Sequence, residues 1–202
     1  MNKRSDILGV VLAGGKSTRL GAEKALLPLR GRPMIQIVAE TLSTVFADVI
    51  IAGGRFDQLG FLGLPVVSDS FPECGPLAGI HAALSHSQAR SIFVLSCDTP
   101  FIPPELIEYV LDFKSSSPTK ITLFEDKLQP LCGLYSAACL PFLRSDLEQG
   151  KLSVLKSLLN IDFAPVPISA SQAFFTPELF RNINCPEDYQ FISTLEPAKS
   201  YG

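Results

Sequence analysis

The apolar positions in the first half of the chain form two alternating patterns. Short uninterrupted apolar runs, which are typical of strands buried on both faces, occur at residues 7–12, 49–52, 65–67 and 92–95. Between these runs, apolar residues recur three and four positions apart, which predicts amphipathic helices near residues 33–46, after Pro76 and after Pro103. Strands that alternate with helices predict a parallel sheet built of strand–helix–strand units.

The second half of the chain is less regular. Its apolar runs predict strands at residues 121–124, 128–134 and 163–168, and helices near residues 136–148 and 152–159. A short helix is expected to begin near Pro186, after the segment Asn182-Ile183-Asn184. No repeat or linker divides the sequence, so we expect one domain over residues 1–202, with a loose tail over about 196–202.

Small or acidic residues lie within three positions after each of the four early strands. They are Ala13-Gly14-Gly15 after the first strand, Gly53-Gly54 after the second, Asp69 after the third and Asp98 after the fourth. In open α/β sheets, ligands bind beyond the carboxyl ends of the strands. We therefore expect these residues to lie on one rim of the sheet.

The segment after the first strand combines glycines with cations. Gly14 and Gly15 allow the backbone to turn sharply and to approach a ligand closely. Five of the chain's 17 lysines and arginines lie between positions 16 and 32: Lys16, Arg19, Lys24, Arg30 and Arg32. A glycine turn followed by spaced cations suits a polyphosphate. The stretch Gly15-Lys16-Ser17-Thr18 is not a P-loop, because that motif needs a glycine at position 10, which is valine.

Composition narrows the classes of function and location. The formal net charge of −3 argues against a general nucleic-acid binder, which makes the local basic cluster distinctive. The 5 cysteines show no C-x-x-C spacing, which indicates reduced thiols and not a disulfide frame or a zinc site. No apolar run approaches the ~18 residues needed to span a bilayer, and no stretch fits a signal peptide. We expect a cytoplasmic protein with no nucleic-acid or membrane partner.

Asp98 and Asp69 are the acidic candidates on the rim. The Asp98 carboxylate could hold Mg²⁺, which prefers oxygen ligands, or it could cap the helix after Pro103 or form a turn. Asp69 could accept hydrogen bonds from ribose hydroxyls or guanine N–H groups, or only stabilise its turn. The GPLAGI segment at residues 75–80 could present N–H groups to an anion or simply begin a helix. The residues alone leave these alternatives open.

No nucleophile and base can be paired from the sequence. His81 and His86 do not share a helix face and have no evident third metal ligand, so packing or surface roles are expected. Cys97 has no partner base either, and we expect it to pack in the core. An acceptor that is itself a phosphate is already an anion and needs no base. Phosphoryl and nucleotidyl transfers depend mainly on positioning and charge stabilisation, which fits this residue set.

Five segments, in order along the chain, resemble the molybdenum cofactor guanylyltransferase family, the MobA-type enzymes. They are LAGGKSTRLGAEKALLPLRGRPMI (12–35), DSFPECGPLAGIHAAL (69–84), SCDTPFIPPEL (96–106), LQPLCGLY (128–135) and FRNINCPEDY (180–189). The resemblance implies a three-layer, mostly parallel, Rossmann-like α/β sheet of the nucleotide-diphospho-sugar transferase type. It also implies Mg²⁺-assisted, in-line transfer of GMP from GTP to the phosphate of molybdopterin. The products would be molybdopterin guanine dinucleotide and pyrophosphate.

The resemblance implies roles for individual residues as well. The nucleotide-binding set is Leu12, Ala13, Gly14, Gly15, Lys24, Asp69 and Asp98. The catalytic set is Arg19, Lys24 and Asp98, of which Asp98 also binds Mg²⁺. Asn182 and Asn184 match a late N-x-N segment in which an asparagine completes the metal site, and Asn184 is the residue assigned here.

One position departs from the family pattern, and some partners stay open. Gly54 precedes Arg55 where family members often carry an asparagine, so a side-chain contact to the nucleotide is lost or replaced there. By charge, Arg55, Lys127 and Lys151 are candidates for the pterin site. Other molybdenum-cofactor biosynthesis proteins or acceptor molybdoenzymes are implied partners.

The alternatives to a guanylyltransferase are a related transferase that uses CTP or a sugar phosphate, and a non-catalytic GTP-binding module. Retention of both Lys24 and Asp98 disfavours the latter.

Overall fold

The computed structural model describes residues 3–13, 24–53 and 59–183 of the 202-residue chain. Its strands are β1 (Ile7–Leu12), β2 (Pro28–Leu29), β3 (Arg32–Pro33), β4 (Val49–Ala52), β5 (Val66–Val67), β6 (Ser91–Ser96), β7 (Lys120–Phe124), β8 (Lys127–Ser136) and β9 (Ala164–Ile168). Its α-helices are α1 (Met34–Val45), α2 (Pro76–His86), α3 (Pro104–Asp112), α4 (Leu140–Glu148) and α5 (Val154–Leu158). Single 3₁₀ turns occupy Lys24–Leu26, Gly60–Leu62 and Ala137–Cys139.

Seven strands form the main sheet, in the order β5-β4-β1-β6-β8-β7-β9. β1 pairs in parallel with β4 and β6, β4 pairs in parallel with β5, and β7 does so with β9. β8 is antiparallel to both of its neighbours, β6 and β7, and is the only described strand of this sheet that runs in the opposite direction. The mostly parallel α/β sheet expected from the sequence is confirmed.

Helices cover both faces of the sheet, which gives three layers. α1 and α3 pack on one face with Val11 and Phe93, whereas α2, α4 and α5 pack on the other face with Val10 and Val94. Successive residues of β1 and β6 therefore enter different cores, because side chains alternate between the faces of a strand. This explains why the strands read as uninterrupted apolar runs in the sequence.

Proline marks the start of the three helices that the sequence predicts in the first half. Pro33 is the N-cap residue of α1, and Pro76 and Pro104 lie in the first turns of α2 and α3. A proline is tolerated there because the first N–H groups of a helix have no partner within the helix.

Several details differ from the sequence-based expectation. The short strands β2 and β3 form a hairpin whose two turn residues, Arg30 and Gly31, have φ of 52° and 77°. The helix expected over 136–148 consists of the 3₁₀ turn and α4. β8 is longer than the strand expected over 128–134, and it is irregular opposite β7. Two-residue strands carry no periodicity, which is why the hairpin is not predicted.

Two further expectations concern cysteines and membranes. Cys74, Cys132 and Cys139 are free thiols, in line with the reduced thiols expected. Within the described ranges, the helices are too short or too polar to cross a bilayer. The short helix expected near Pro186 and the tail over 196–202 lie outside the described residues.

Gly133→Ala is expected to destabilise the fold, because an added Cβ would lie 2.6 Å from the carbonyl oxygen of Lys120 on β7. Main-chain atoms in a paired strand move only with strain, so we expect a loss of about 1–3 kcal/mol in the free energy of unfolding. Gly60→Ala is the matched control, since no atom lies within 4 Å of its added Cβ. Denaturant unfolding of both variants measures the difference. Equal losses in the two variants would contradict this account.

Candidate functional site

Main-chain hydrogen bonds tie the carboxyl ends of the parallel strands together. The Ala13 N–H donates to the Ala52 carbonyl over 3.0 Å, and the Cys97 N–H donates to the Leu12 carbonyl over 3.1 Å. The segments after β1 and β6 therefore leave the sheet from the same edge, as the sequence predicts.

Leu12 and Gly79 pack α2 closely against this edge. Leu12 is 3% exposed. A Cβ added to Gly79 would lie 2.9 Å from the Cδ2 atom of Leu12. The same Cβ would lie 3.8 Å from the Ala52 carbonyl oxygen. Gly79 therefore permits a close approach of helix and strands. Because the Leu12 side chain is in the core, its predicted role toward a nucleotide is limited to its main chain.

Gly75 begins α2 with an unusual main-chain conformation. Its φ of 69° and ψ of −155° fall in a region that is essentially restricted to glycine. The N–H groups of Ala78 and Gly79 both donate to the Gly75 carbonyl, over 3.1 and 3.4 Å. These two amides are used within the helix, and a role of this segment toward an anion stays a prediction.

Asp69 follows β5 at the same edge of the sheet. The Gly53 N–H donates to the carbonyl of Val67 over 3.2 Å, which aligns the end of β5 with that of β4. The Oδ1 atom of Asp69 is buried and has no hydrogen-bond partner among the described residues. Burial raises the pKa of the Asp69 carboxyl above its ordinary value of 3.8. A buried acceptor without a donor is costly, so this geometry favours a ligand-supplied donor over a role in the turn alone.

Asp98 follows β6 in a tight turn. The N–H and the hydroxyl of Thr99 both donate to the Ser96 carbonyl, over 3.3 and 3.0 Å. Pro103 is the N-cap of α3 and makes no side-chain cap bond itself. Asp98 is partly exposed at the edge, where a ligand can reach it.

The late N-x-N segment reaches the Asp98 turn through Ile183. The Ile183 N–H donates to the Asp98 carbonyl over 3.3 Å. Its buried side chain packs with Leu29 and Met34. Asn182 beside it is exposed. The fold thus brings a segment from near the end of the described chain to the carboxyl end of β6.

Part of the predicted site lies outside the described residues. These positions are Gly14, Gly15, Arg19, Gly54, Arg55 and Asn184. Lys24 begins the 3₁₀ turn before β2, and only its backbone is described. Ala13 is described and partly exposed at the end of β1. The roles assigned to these residues stay predictions.

Arg32, one of the five clustered cations, is paired with an acidic side chain. Its Nη1 atom donates to Oε2 of Glu40 on α1 over 2.6 Å, and both side chains are about half exposed. The pair lies on the outer surface of α1, where its charge is already balanced. Lys151, a pterin candidate by charge, likewise lies 3.7 Å from the Asp146 carboxylate.

The acidic residues at the edge fit a nucleotide-bound Mg²⁺ better than a structural metal. Among the described residues, no group of three or more His, Cys, Asp or Glu side chains could hold a metal ion. Mg²⁺ usually takes one or two carboxylates and completes its shell with phosphate oxygens and water. A single carboxylate such as Asp98 would satisfy this requirement if substrate phosphates lay beside it.

His81 has a packing role in α2. It is 8% exposed, and its ring meets Phe71 edge-on at a centroid distance of 5.3 Å. Burial lowers the pKa of His81 and Arg144 lowers it further, while Glu148 acts in the opposite direction. A neutral, buried imidazole is in keeping with the packing role expected from the sequence.

β8 also reaches this edge, which the apolar pattern of its sequence does not predict. The last pair between β6 and β8 joins Leu95 to Cys132, so residues 129–131 continue beside the Asp98 turn. In the sequence, Pro130 is the feature that could have indicated this irregularity, because a proline inside an apolar strand pattern indicates an edge or a bulge.

Comparison with known proteins identifies the family. The model of the MobA-like NTP transferase domain matches residues 9–162. The chain belongs to this family. It is therefore a nucleotidyltransferase, and the non-catalytic alternative is excluded.

Individual relatives support the same assignment. A Pelotomaculum thermopropionicum protein named "Probable molybdenum cofactor guanylyltransferase" is 38% identical over 182 residues, which cover 89% of this chain and 88% of that protein. Molybdopterin-guanine dinucleotide biosynthesis protein A from Archaeoglobus fulgidus has a crystal structure with a TM-score of 0.79 at 27% identity, covering 92% of this chain and 96% of that one.

A more distant structure shares the fold alone. CMP:2-keto-3-deoxy-manno-octonic acid synthetase, solved in complex with CTP, has a TM-score of 0.69 at 16% identity, covering 92% of this chain and 95% of that one. Together with the Archaeoglobus structure, it confirms the Rossmann-like architecture of the MobA-like family member described here.

The raised pKa of Asp69 predicts a stability that falls with pH. An acid whose native pKa is raised keeps its proton in the folded state at pH values where the unfolded chain has lost it. The free energy of unfolding of the nucleotide-free protein should therefore decrease as pH rises from the ordinary value of 3.8 through the native pKa. Asp69→Asn removes this contribution, so wild type should lose stability relative to the variant in that window.

Thermal unfolding of both proteins, at pH values from about 4 to 7, measures this difference. Asp48→Asn is the matched control, because Asp48 is an exposed aspartate before β4, at the opposite edge of the sheet. If wild type gained stability over Asp69→Asn with rising pH, the predicted sign would be wrong.

Proposed function

We propose that this chain transfers GMP from GTP to the phosphate of molybdopterin and releases pyrophosphate. The observation that carries the proposal is the edge of the sheet that holds Asp69 and Asp98. They follow β5 and β6, and the glycine loop leaves β1 between those strands. The guanylyltransferase name of the Pelotomaculum relative supports the choice of substrates.

Asp69 is proposed to bind the nucleoside. Its buried Oδ1 atom has no donor among the described residues, and a guanine N–H or a ribose hydroxyl would supply one. The bound donor would also stabilise the ionised carboxylate, which burial disfavours. Nucleotide binding would therefore release a proton wherever Asp69 is still partly protonated.

The triphosphate is proposed to lie along the loop after β1. Ala13 and the amides of Gly14 and Gly15 would contact the phosphates, and Arg19 and Lys24 would balance their charge. Asp98 would hold Mg²⁺, and Asn184 would complete the site, since the adjacent Ile183 is hydrogen-bonded to the Asp98 carbonyl. When bound, Mg²⁺ would supply charge neutralisation for the phosphate oxygens.

The reaction needs no protein base. An oxygen of the molybdopterin phosphate forms a bond to the α-phosphorus of GTP, while the bond from that phosphorus to the bridging oxygen of the β-phosphate breaks. Pyrophosphate leaves with the bonding electrons, and the acceptor oxygen is already deprotonated. The contribution of the protein is to align the two phosphates and to offset their repulsion, which requires cations and main-chain amides.

The remaining features of the proposal concern the whole chain. We infer that residues 1–202 act as one transferase domain in the cytoplasm, where thiols such as the free Cys74 stay reduced. Its protein partners would be other molybdenum-cofactor biosynthesis proteins or the molybdoenzymes that receive the product.

Asp98→Ala is expected to abolish Mg²⁺-dependent transfer while the protein stays folded. Loss of the metal ligand removes charge stabilisation worth several kcal/mol, so turnover should fall on the order of 100-fold or more. Pyrophosphate release measures turnover, and thermal unfolding checks the fold. Asp48→Ala, on the opposite edge of the sheet, should leave turnover unchanged. Full turnover in Asp98→Ala would remove the metal assignment.

GTP is expected to be the nucleotide that supports the reaction. Pyrophosphate should appear when molybdopterin is added to enzyme, Mg²⁺ and GTP, and excess CTP should not compete. Asp69→Asn should raise the KM for GTP about tenfold, because a neutral amide oxygen replaces the charged carboxylate acceptor. Equal use of CTP would instead favour the related transferase alternative.

A further inference from the structure

Two buried hydroxyl groups hold the irregular part of β8, the β8 bulge (residues 130–132). The Tyr135 hydroxyl donates to the Pro130 carbonyl over 2.5 Å, and the Thr122 hydroxyl donates to the Cys132 carbonyl over 2.8 Å. Both side chains are 0% exposed. Burial raises the pKa of Tyr135 well above its ordinary value of 10.0, so the phenol remains a donor.

The β8 bulge lacks the usual pairing with β7. Ile121 pairs with Gly133, but the next residue, Thr122, pairs with Gln129, so the β8 bulge has no counterpart on β7. Pro130 has no N–H group to donate. A buried hydroxyl costs free energy unless it is hydrogen-bonded, whereas Phe or Val of similar shape would not carry this cost. The two hydroxyls therefore specify the shape of the bulge.

The β8 bulge flanks the Asp98 turn on the side away from β1. β8 runs antiparallel to β6, and their last pair joins Cys132 to Leu95. Residues 129–131 therefore continue past the carboxyl end of β6, and they are partly exposed there. In the sheet order, β1, β4 and β5 lie on the other side of β6. Bulges are frequent beside active sites, where they redirect side chains.

We propose that the phosphate-bearing acceptor binds against the β8 bulge. Tyr135 and Thr122 are positioning residues, because their hydroxyls hold the bulge in the shape that contacts the acceptor. This inference rests on the proposed function. In-line transfer requires the acceptor to approach from the side opposite the departing pyrophosphate. Pro130 and Leu131 offer apolar surface next to the amide of Gln129. Such a surface suits a flat heterocycle with a hydrogen-bonding edge, the chemical class of a pterin.

Tyr135→Phe tests the inference, because it keeps the ring and removes the hydroxyl. The KM for molybdopterin should rise about five- to tenfold, as expected for one lost hydrogen bond, while the KM for GTP stays within about twofold. Thr122→Val should have the same effect. Thr122→Ser should restore the wild-type KM, because it keeps the donor.

Ser117→Ala is the matched control for loss of a buried hydroxyl. Ser117 is 6% exposed and donates to the carbonyls of Thr119 and Asp162, at the amino end of β7. Ser117→Ala should lower the unfolding midpoint, while the KM for molybdopterin and the KM for GTP change, if at all, by the same factor. The inference is overturned if the KM for molybdopterin is unchanged in Tyr135→Phe and Thr122→Val, or if both KM values rise together. A wild-type protein that releases no pyrophosphate would instead overturn the proposed function, and with it this inference.

Discussion

The register of the parallel strands is the constraint on which the site depends. Val10 and Val11 are neighbours in β1, yet they enter opposite cores, so a slip of one residue would expose each to the wrong layer. The apolar packing therefore fixes where each strand ends. Main-chain hydrogen bonds such as that from Ala13 to Ala52 then extend this alignment past the ladder. Asp69 and Asp98 lie at one edge because of this alignment.

Much of the fold follows from the sequence, because the strands buried on both faces have no polar positions to obscure them. The edge that holds Asp69 and Asp98 follows as well, since parallel strands end on the same side. The direction of β8 could not be predicted, because an apolar run looks the same in a parallel and in an antiparallel strand. The pairing of Arg32 with Glu40 depends on a hairpin too short to leave a pattern. Nor does sequence reveal that Gly79 serves helix packing, since that depends on the distance to Leu12.

Some buried polar groups at this edge have a hydrogen-bond partner among the described residues, and others do not. The hydroxyls of Tyr135 and Thr122 are satisfied by main-chain carbonyls, and they stabilise one shape of the protein. The Oδ1 atom of Asp69 has no such partner within the described chain, and it destabilises the nucleotide-free state. Satisfied groups of this kind give rigidity, whereas the unsatisfied carboxylate leaves interaction energy to be gained on binding. A protein that binds a ligand can use both kinds of group at one edge: the satisfied hydroxyls keep its shape, and the unsatisfied carboxylate gains a partner when the ligand binds.

The contact between Ile183 and Asp98 makes completion of the edge a late event in the synthesis of the chain. The strands that precede Asp98 leave the ribosome long before Ile183, and folding can begin while a chain is still being made. A nascent chain can therefore align its strand ends while it lacks the segment that closes on the Asp98 turn. Premature termination upstream of Ile183 would yield a protein with aligned strand ends but an incomplete edge.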